Sequence, residues 1–429
     1  MPSGHRAFFS LLLVVFLLTV FTQAESDRST KGLVQTATVF PPVAELAASD
    51  GLPGNALGVA VAMSGDTVVV GEDCGRTTGS LCNYANEGVV YVFQRSGSNW
   101  STMTQTARLT ASDGFVGSEF GTSVAINGDT IVVGANDNKA YVFVKPAGGW
   151  TDMVETAQLS DGASNEFFGS SVGVDNGTVV VGAPGAVING NQSQGAAYVY
   201  VQPASGWADT SSFNAQLTAS DGTFQNLFGL SVAVSGNTII AGSPSHQGQT
   251  GPGEAYIFTR PAVGWQNSTE TAILTRSNPG SFDEFGFSVS IDRNTVVVGS
   301  PQAVVNGGQG AVDVFVKPIG GWVNLAENAE LVSPTFISDL GFCVAIAGRR
   351  VAIGSFSNSN IALVFAEPKS GWASTSQPQL ILNGAGHGLT WFGFSVAMAN
   401  DAVVVTAPLQ SVNHHVQQGA ALVFSDQDQ

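Results

Sequence analysis

Phe168-Gly169-Ser170-Ser171-Val172-Gly173-Val174-Asp175-Asn176-Gly177-Thr178-Val179-Val180-Val181-Gly182-Ala183-Pro184 contains a complete β-hairpin. Small and β-branched residues alternate over 171–174, Asn-Gly supplies the tight turn, and a second β-branched run follows before Gly-Ala-Pro stops it. The same phrase recurs along the chain, marked each time by an apolar-Gly pair: Leu57-Gly58, Phe120-Gly121, Phe168-Gly169, Phe228-Gly229, Phe285-Gly286, Leu340-Gly341 and Phe392-Gly393. These glycines are 48 to 63 residues apart. After each hairpin come an aromatic run, such as Ala140-Tyr141-Val142-Phe143, and a short fourth run, such as Thr156-Ala157-Gln158-Leu159. Below, the four runs of a repeat are strands A to D.

Four short strands per unit is the size of a propeller blade. The predicted fold is all-β: a seven-bladed β-propeller of four-stranded antiparallel blades. Strand A carries Ser123, Ser171, Ser231, Ser288, Cys343 and Ser395 on one face, small enough for converging inner strands, and Val124, Val172, Val232 and Val289 on the other. The Phe of each pair is expected between blades, with its Gly allowing close backbone approach. C–D linkers end in Trp100, Trp150, Trp207, Trp265, Trp322 and Trp372, a recurrence that suits a structural plug. A lone D-like run at 43–47 precedes the first repeat, and the last repeat ends on a C-like run at 421–424. The N-terminal strand is therefore predicted to complete blade 7 and hide two sheet edges.

The apolar stretch at 7–21, followed by Thr22-Gln23-Ala24, reads as a signal peptide over 1–24. Residues 25–42 are then a flexible leader and 43–429 the propeller. No transmembrane segment is expected after signal removal, and the destination is secreted, cell-surface or periplasmic. Charged residues are 11% of the chain and glycines number 52, a composition of strands and turns rather than helices. Cleavage removes one base, Arg6, and no acid, leaving 14 basic against 32 acidic residues and a net charge of −18. Such a field argues against nucleic acid as a partner.

The Phe-Gly pairs, Gly182-Ala183-Pro184 and its variants Gly242-Ser243-Pro244, Gly299-Ser300-Pro301 and Thr406-Ala407-Pro408 resemble the FG-GAP repeats of the integrin α-subunit propeller. Repeats 1, 2 and 6 depart from the phrase at Gly71-Glu72-Asp73, Gly134-Ala135-Asn136 and Gly354-Ser355-Phe356. The resemblance implies extracellular recognition or adhesion through the face made by the B–C and D–A loops. It also brings Ca²⁺ loops between strands A and B, but here those connections are turns of the Asp175-Asn176-Gly177 kind, too short to wrap a cation needing 6 to 8 oxygens. No metal or other cofactor is expected. The repeated Ser-Asp-Gly at Asp50, Asp113, Asp161 and Asp221 reads as turn capping.

No catalytic constellation stands out. His246, His387, His414 and His415 lie in no metal-ligand phrase, and the glycine-rich phrases precede strands rather than helices. Cys74 and Cys82, in the longest B–C loop, are the candidate disulfide, and Cys343 reads as a buried free thiol. Asn99, Asn176, Asn191 and Asn267 begin N-x-S/T sequons. The expected function is a recognition or adhesion module for an extracellular protein or glycan. The alternatives are a secreted polysaccharide hydrolase or lyase using Glu119, Glu166 and Glu284, and a scaffold without a ligand.

Overall fold

The computed structural model describes residues 38–72, 87–164, 166–244, 251–305, 308–357, 360–384, 390–399 and 401–425. Among them there is no helix. The quoted stretch forms Ser171–Asp175 and Thr178–Ala183, joined through Asn176 and Gly177, both at positive φ as a two-residue hairpin turn requires. Ala196–Val201 and Ala215–Leu217 complete an antiparallel sheet in the order A-B-C-D. The same antiparallel order recurs through the chain. In the nine-stranded sheet, two such units touch through one parallel bridge, Gly310 to Leu340.

The fourth strand beside Ala420–Ser425 comes from the other end of the chain: Ala44–Ala47 pairs antiparallel with it, Ala44 opposite Val423. The leader reading needs correction at its end. Thr38–Phe40 is a strand, parallel to Leu380–Asn383, with Phe40 opposite Leu382. The physical reason is that it occupies the place of a C–D linker. In other repeats that linker lays a short parallel segment on the preceding D strand, as Met153–Val154 does on Ala107–Thr110 and Met103–Thr104 on Ala44–Ala47. Residues 1–37, with the predicted signal peptide, lie outside the described residues.

Neighbouring repeats are joined by three devices. The first is apolar. Phe120, Phe168, Phe228, Phe285 and Phe392 are all fully buried, in clusters drawing residues from two consecutive repeats. Burying each contributes about 1.5–3 kcal/mol. Trp100, Trp150, Trp207, Trp265 and Trp322 are buried in clusters of the same kind.

The second is a polar latch. Ser123, Ser171, Ser231 and Ser288 donate their hydroxyls, each at 2.8 Å, to the carbonyls of Gly169, Gly229, Gly286 and Gly341 in the following repeat. Size alone does not explain these serines. At Gly182 a Cβ would lie 2.0 Å from the Gly229 carbonyl oxygen, so the Gly of Gly-Ala-Pro is what lets the next Phe-Gly turn approach.

The third is a clamp two residues beyond each Trp. Asp152, Asp209, Asn267 and Asn324 accept the backbone N–H of Arg108, Gln158, Gln216 and Ile273, in the D strand of the preceding repeat, at 2.8–2.9 Å. Ser374 and Thr102 do the same for Glu330 and Glu45.

Candidate functional site

In an up-and-down sheet the D–A and B–C connections emerge at one end and the A–B turns and C–D linkers at the other. The two ends differ chemically. D–A loops expose Leu52, Phe115, Val116, Phe224, Phe282 and Phe336, and B–C loops expose Val187, Val304 and Val416. Among the described residues the exposed phenylalanines, 45–59% accessible, all lie in D–A loops. The opposite end has short turns and exposes aliphatic side chains in and beside its C–D linkers, Val39, Val43, Val154, Val263, Ile319 and Val323, so the difference lies in the aromatic rings.

Repeats 5 to 7 bring five aromatic rings together. Phe287, Phe342 and Phe394 each follow the Gly of an apolar-Gly pair, Phe356 follows strand B of repeat 6, and Trp391 precedes Phe392. Phe342 lies 5.1 Å from Phe287 and 5.4 Å from both Phe356 and Phe394. Trp391 is 5.2 Å from Phe356 and nearly parallel to Phe394, 6.0 Å away at 15°. All five are half-buried.

The residue ahead of each pair is at positive φ: Ala56, Glu119, Phe167, Leu227, Glu284, Asp339 and Trp391. Since this conformation recurs with the repeat, it belongs to the turn architecture. In repeats 5 and 6 it turns Glu284 and Asp339 inward. Burial, reinforced by Asp339, raises Glu284 to about 8, and burial raises Asp339 to about 6 although it accepts a 2.8 Å hydrogen bond from Gln302. Glu166 rises to about 7 through burial and Asp161, and hydrogen-bonds the Tyr198 hydroxyl at 3.4 Å. Glu119 is half-buried in repeat 2. Glu166 thus meets groups near its own repeat, Asp161 and Tyr198, whereas Glu284 is influenced by Asp339 of the next one.

The Ser-Asp-Gly reading is modified. Asp161 does cap its turn, accepting the Ala163 N–H at 3.0 Å. Asp50, Asp113 and Asp221 instead accept the hydroxyls of Tyr91, Tyr141 and Tyr256 at 2.8–3.1 Å, since a tyrosine ring buried in strand C needs an acceptor for its O–H. In repeat 5 Asp313 stands at that tyrosine position, and the cation is internal: buried Arg276 pairs with Asp283 at 2.6 Å, with Asp313 at 3.1 Å and with Glu330. Burial outweighs Arg276 and raises Asp313 to about 8.

Cys343 is a free thiol that donates to the Gly393 carbonyl at 3.2 Å, taking the latch serine's place, and burial pushes it up to about 12. His415 Nδ1 lies 2.8 Å from the Gly51 carbonyl of the neighbouring D–A loop. Cys74, Cys82, His246 and His387 lie outside the described residues.

The model of the FG-GAP repeat matches residues 41–93, 103–143, 150–200, 212–258 and 268–315, more than half of the chain. This chain belongs to the FG-GAP repeat family. The matched FG-GAP repeats stop at residue 315, before the repeats that supply four of the five clustered rings. No curated protein matches the chain. Among solved structures it is similar to the computationally designed Ika8 protein, with 16% identity over 90% of this chain and 99% of that one, at a TM-score of 0.46. No helix among the described residues is long and apolar enough to cross a membrane.

Sequence reasoning missed the aromatic cluster. Its visible trace was Phe-Gly-Phe at 285–287 and 392–394 together with Gly341-Phe342, against Val59, Thr122, Ser170 and Leu230 at the same position of repeats 1 to 4.

Proposed function

We propose that the chain is a closed, seven-bladed propeller exported from the cell as a recognition or adhesion module. It captures an extracellular protein or glycan with its B–C and D–A loops. The observation that carries this reading is the exposed phenylalanine of four D–A loops, Phe115, Phe224, Phe282 and Phe336, on one end of the sheets. Exposed apolar side chains gathered on one face mark a contact surface. The ring is supported by the packing of each strand A on the next and of Val396–Ala399 on Leu57–Ser64, together with the pairing of Ala44–Ala47 beside Ala420–Ser425. Export is supported by the apolar stretch at 7–21. The test is capture of the purified chain on arrays of glycans and extracellular proteins. Replacing Phe115, Phe224, Phe282 and Phe336 with Ser is expected to reduce capture at least ~10-fold, about 1.4 kcal/mol. Unchanged capture by a folded quadruple variant refutes the loop reading.

A further inference from the structure

The end formed by the D–A and B–C loops carries charge as unevenly as it carries aromatic rings. Its described connections hold eleven carboxylates and one base, Arg276, which is buried among its own ion pairs. The A–B turns and C–D linkers of the opposite end hold nine carboxylates against seven bases. The repeats answer this acidity differently. In repeat 1 Arg108 lies 3.6 Å from Asp50, in repeat 2 Lys139 pairs with Asp113, and in repeat 5 Arg276 pairs with Asp283 and Asp313. Repeats 3 and 4 have no such cation. Opposite the strand C tyrosine, where repeat 1 places Arg108, stand Gln216 and Ile273, and at the Lys139 position stand Ala196 and Glu254.

Among the described residues Asp161, Glu166, Asp221 and Glu254 accordingly meet hydroxyls and one another but form no ion pair. Glu166 accepts the Tyr198 hydroxyl at 3.4 Å, and Asp221 and Glu254 both accept that of Tyr256. Burial, with Asp161, raises Glu166, and burial, with Asp221 and against the Tyr256 hydroxyl, raises Glu254 above the ordinary carboxylate value. The loops concerned form one surface. Gly185 donates its N–H to the Glu166 carbonyl at 2.9 Å, tying the D–A and B–C loops of repeat 3 together. Gln225 and Leu227 donate to the carbonyls of Gln192 and Ser193 at 3.0 Å, tying that B–C loop to the D–A loop of repeat 4. Val187 and Phe224 stand exposed on it.

An apolar pair flanked by carboxylates without a counter-charge has a definite complement. An anionic polymer is repelled, and a neutral sugar leaves the carboxylates without a cation. A metal ion needs converging ligands, and among the described residues no three Asp, Glu, His or Cys side chains converge in that way. A polypeptide with Lys or Arg beside an apolar side chain supplies both the absent cation and a contact for Val187 and Phe224.

We propose that the loop surface of repeats 3 and 4 docks a basic protein segment in which Lys or Arg side chains flank an apolar one. The proposal rests on the recognition reading and names the chemistry of its partner.

Fluorescence-anisotropy titration of the full chain tests it, with labelled peptides repeating Lys-Leu-Lys-Gly, Ser-Leu-Ser-Gly, Glu-Leu-Glu-Gly and Lys-Gly-Lys-Gly. The Lys-Leu peptide is expected to bind saturably, at least ~10-fold tighter than the other three, and to weaken as salt rises and screens the charges. Asp221→Asn with Glu254→Gln keeps acceptors for the Tyr256 hydroxyl and removes two charges. This pair should weaken binding at least ~10-fold with an unchanged unfolding midpoint, whereas Asp129→Asn with Glu367→Gln, the same change of net charge at the opposite end, should leave it unaltered. Gln216→Arg, which gives repeat 3 the cation of repeat 1 and removes no carboxylate, should also weaken it. Absence of saturable binding to the Lys-Leu peptide overturns the proposal, as do equal binding of the Ser-Leu or Glu-Leu peptide and equal effects of the two double variants. Array capture of a neutral or acidic ligand, lost in the quadruple phenylalanine variant but not in Asp221→Asn with Glu254→Gln, overturns the basic partner and leaves the recognition reading standing. No capture of peptide or array ligand overturns both.

Discussion

Repeats 2 to 5 and the repeats that meet near the chain ends solve the same packing problem differently. From Ser123 to Gly341, every contact uses a serine hydroxyl on a glycine carbonyl, a Gly at the close approach and a Trp, buried in the first three and half-buried at Trp372. Between repeats 6 and 7 the latch is the Cys343 thiol, and the described apolar cluster holds half-buried Phe40, brought from the N-terminus, where the others hold a Trp. In repeat 7 Thr406 stands where Gly182 stands in repeat 3, and its Oγ1 accepts the Ser395 N–H at 3.0 Å. A cavity of about 160 Å³ opens beside Pro42, Glu45, Gly384 and Gln410. Repeat 1 departs too, with Glu72 buried in the phrase's second position and accepting a 2.7 Å hydrogen bond from Asn55. Repetition is strict where the surroundings repeat and relaxes where the chain ends break that identity. The same relaxed region carries four of the five rings of the aromatic cluster, Phe342, Phe356, Trp391 and Phe394.

The sharpest way to break this comparison is at the N-terminal strand. Leu46 is fully buried between the ends of the chain, and Leu46→Ala is expected to cost about 2–5 kcal/mol in denaturant unfolding. Deleting residues 38–47 should expose the edge of Ala420–Ser425 and give aggregation, measured by light scattering. A monomeric, cooperatively unfolding deletion variant would show that the chain ends do not hold the molecule together.

Exchanging the two solutions is the next test. Gly182→Thr forces a Cβ to 2.0 Å from a carbonyl and is expected to destabilise by about 3 kcal/mol. Thr406→Gly loses a hydroxyl contact and gains backbone freedom, for about 1–2 kcal/mol. Equal losses at both sites would dissolve the distinction.

Glu72 adds a pH dependence. Burial, then Asp50, raises it to about 8, against the opposing influence of Arg108 and Asn55. A carboxyl whose folded value exceeds its unfolded value favours the fold fully below the unfolded value, and that contribution is lost as pH rises toward 8. Between pH 5 and 8 the wild type should therefore lose up to about 1.4 kcal/mol per pH unit more than Glu72→Gln does. Parallel stability profiles of the two proteins would remove Glu72 from the account.

The smallest effect is expected at the latch. Ser231→Ala should cost about 1 kcal/mol, and Cys343→Ser, which restores the regular donor, should change stability by less than about 0.5 kcal/mol. A larger loss in Cys343→Ser would mean that the thiol's volume matters more than its hydrogen bond.

The sequence by itself determined what is local. Alternation with period two, Asn-Gly turns and the repeated Phe-Gly and Gly-Ala-Pro phrases define strands, hairpins and repeat boundaries, because these depend on residues within a few positions of one another. The burial of Phe120, Phe168, Phe228, Phe285 and Phe392 follows from the same pattern. Tertiary structure decided what joins residues from about fifty positions apart to opposite ends of the chain. Ser171 finds the Gly229 carbonyl, Asp209 reaches the Gln158 N–H, and Thr38–Phe40 lies on Leu380–Asn383, none of which a repeat pattern specifies. The aromatic cluster belongs to this second class. Phe287, Phe342 and Phe394 are unremarkable in their own repeats, and they become one surface only because the first strands of repeats 5, 6 and 7 pack side by side.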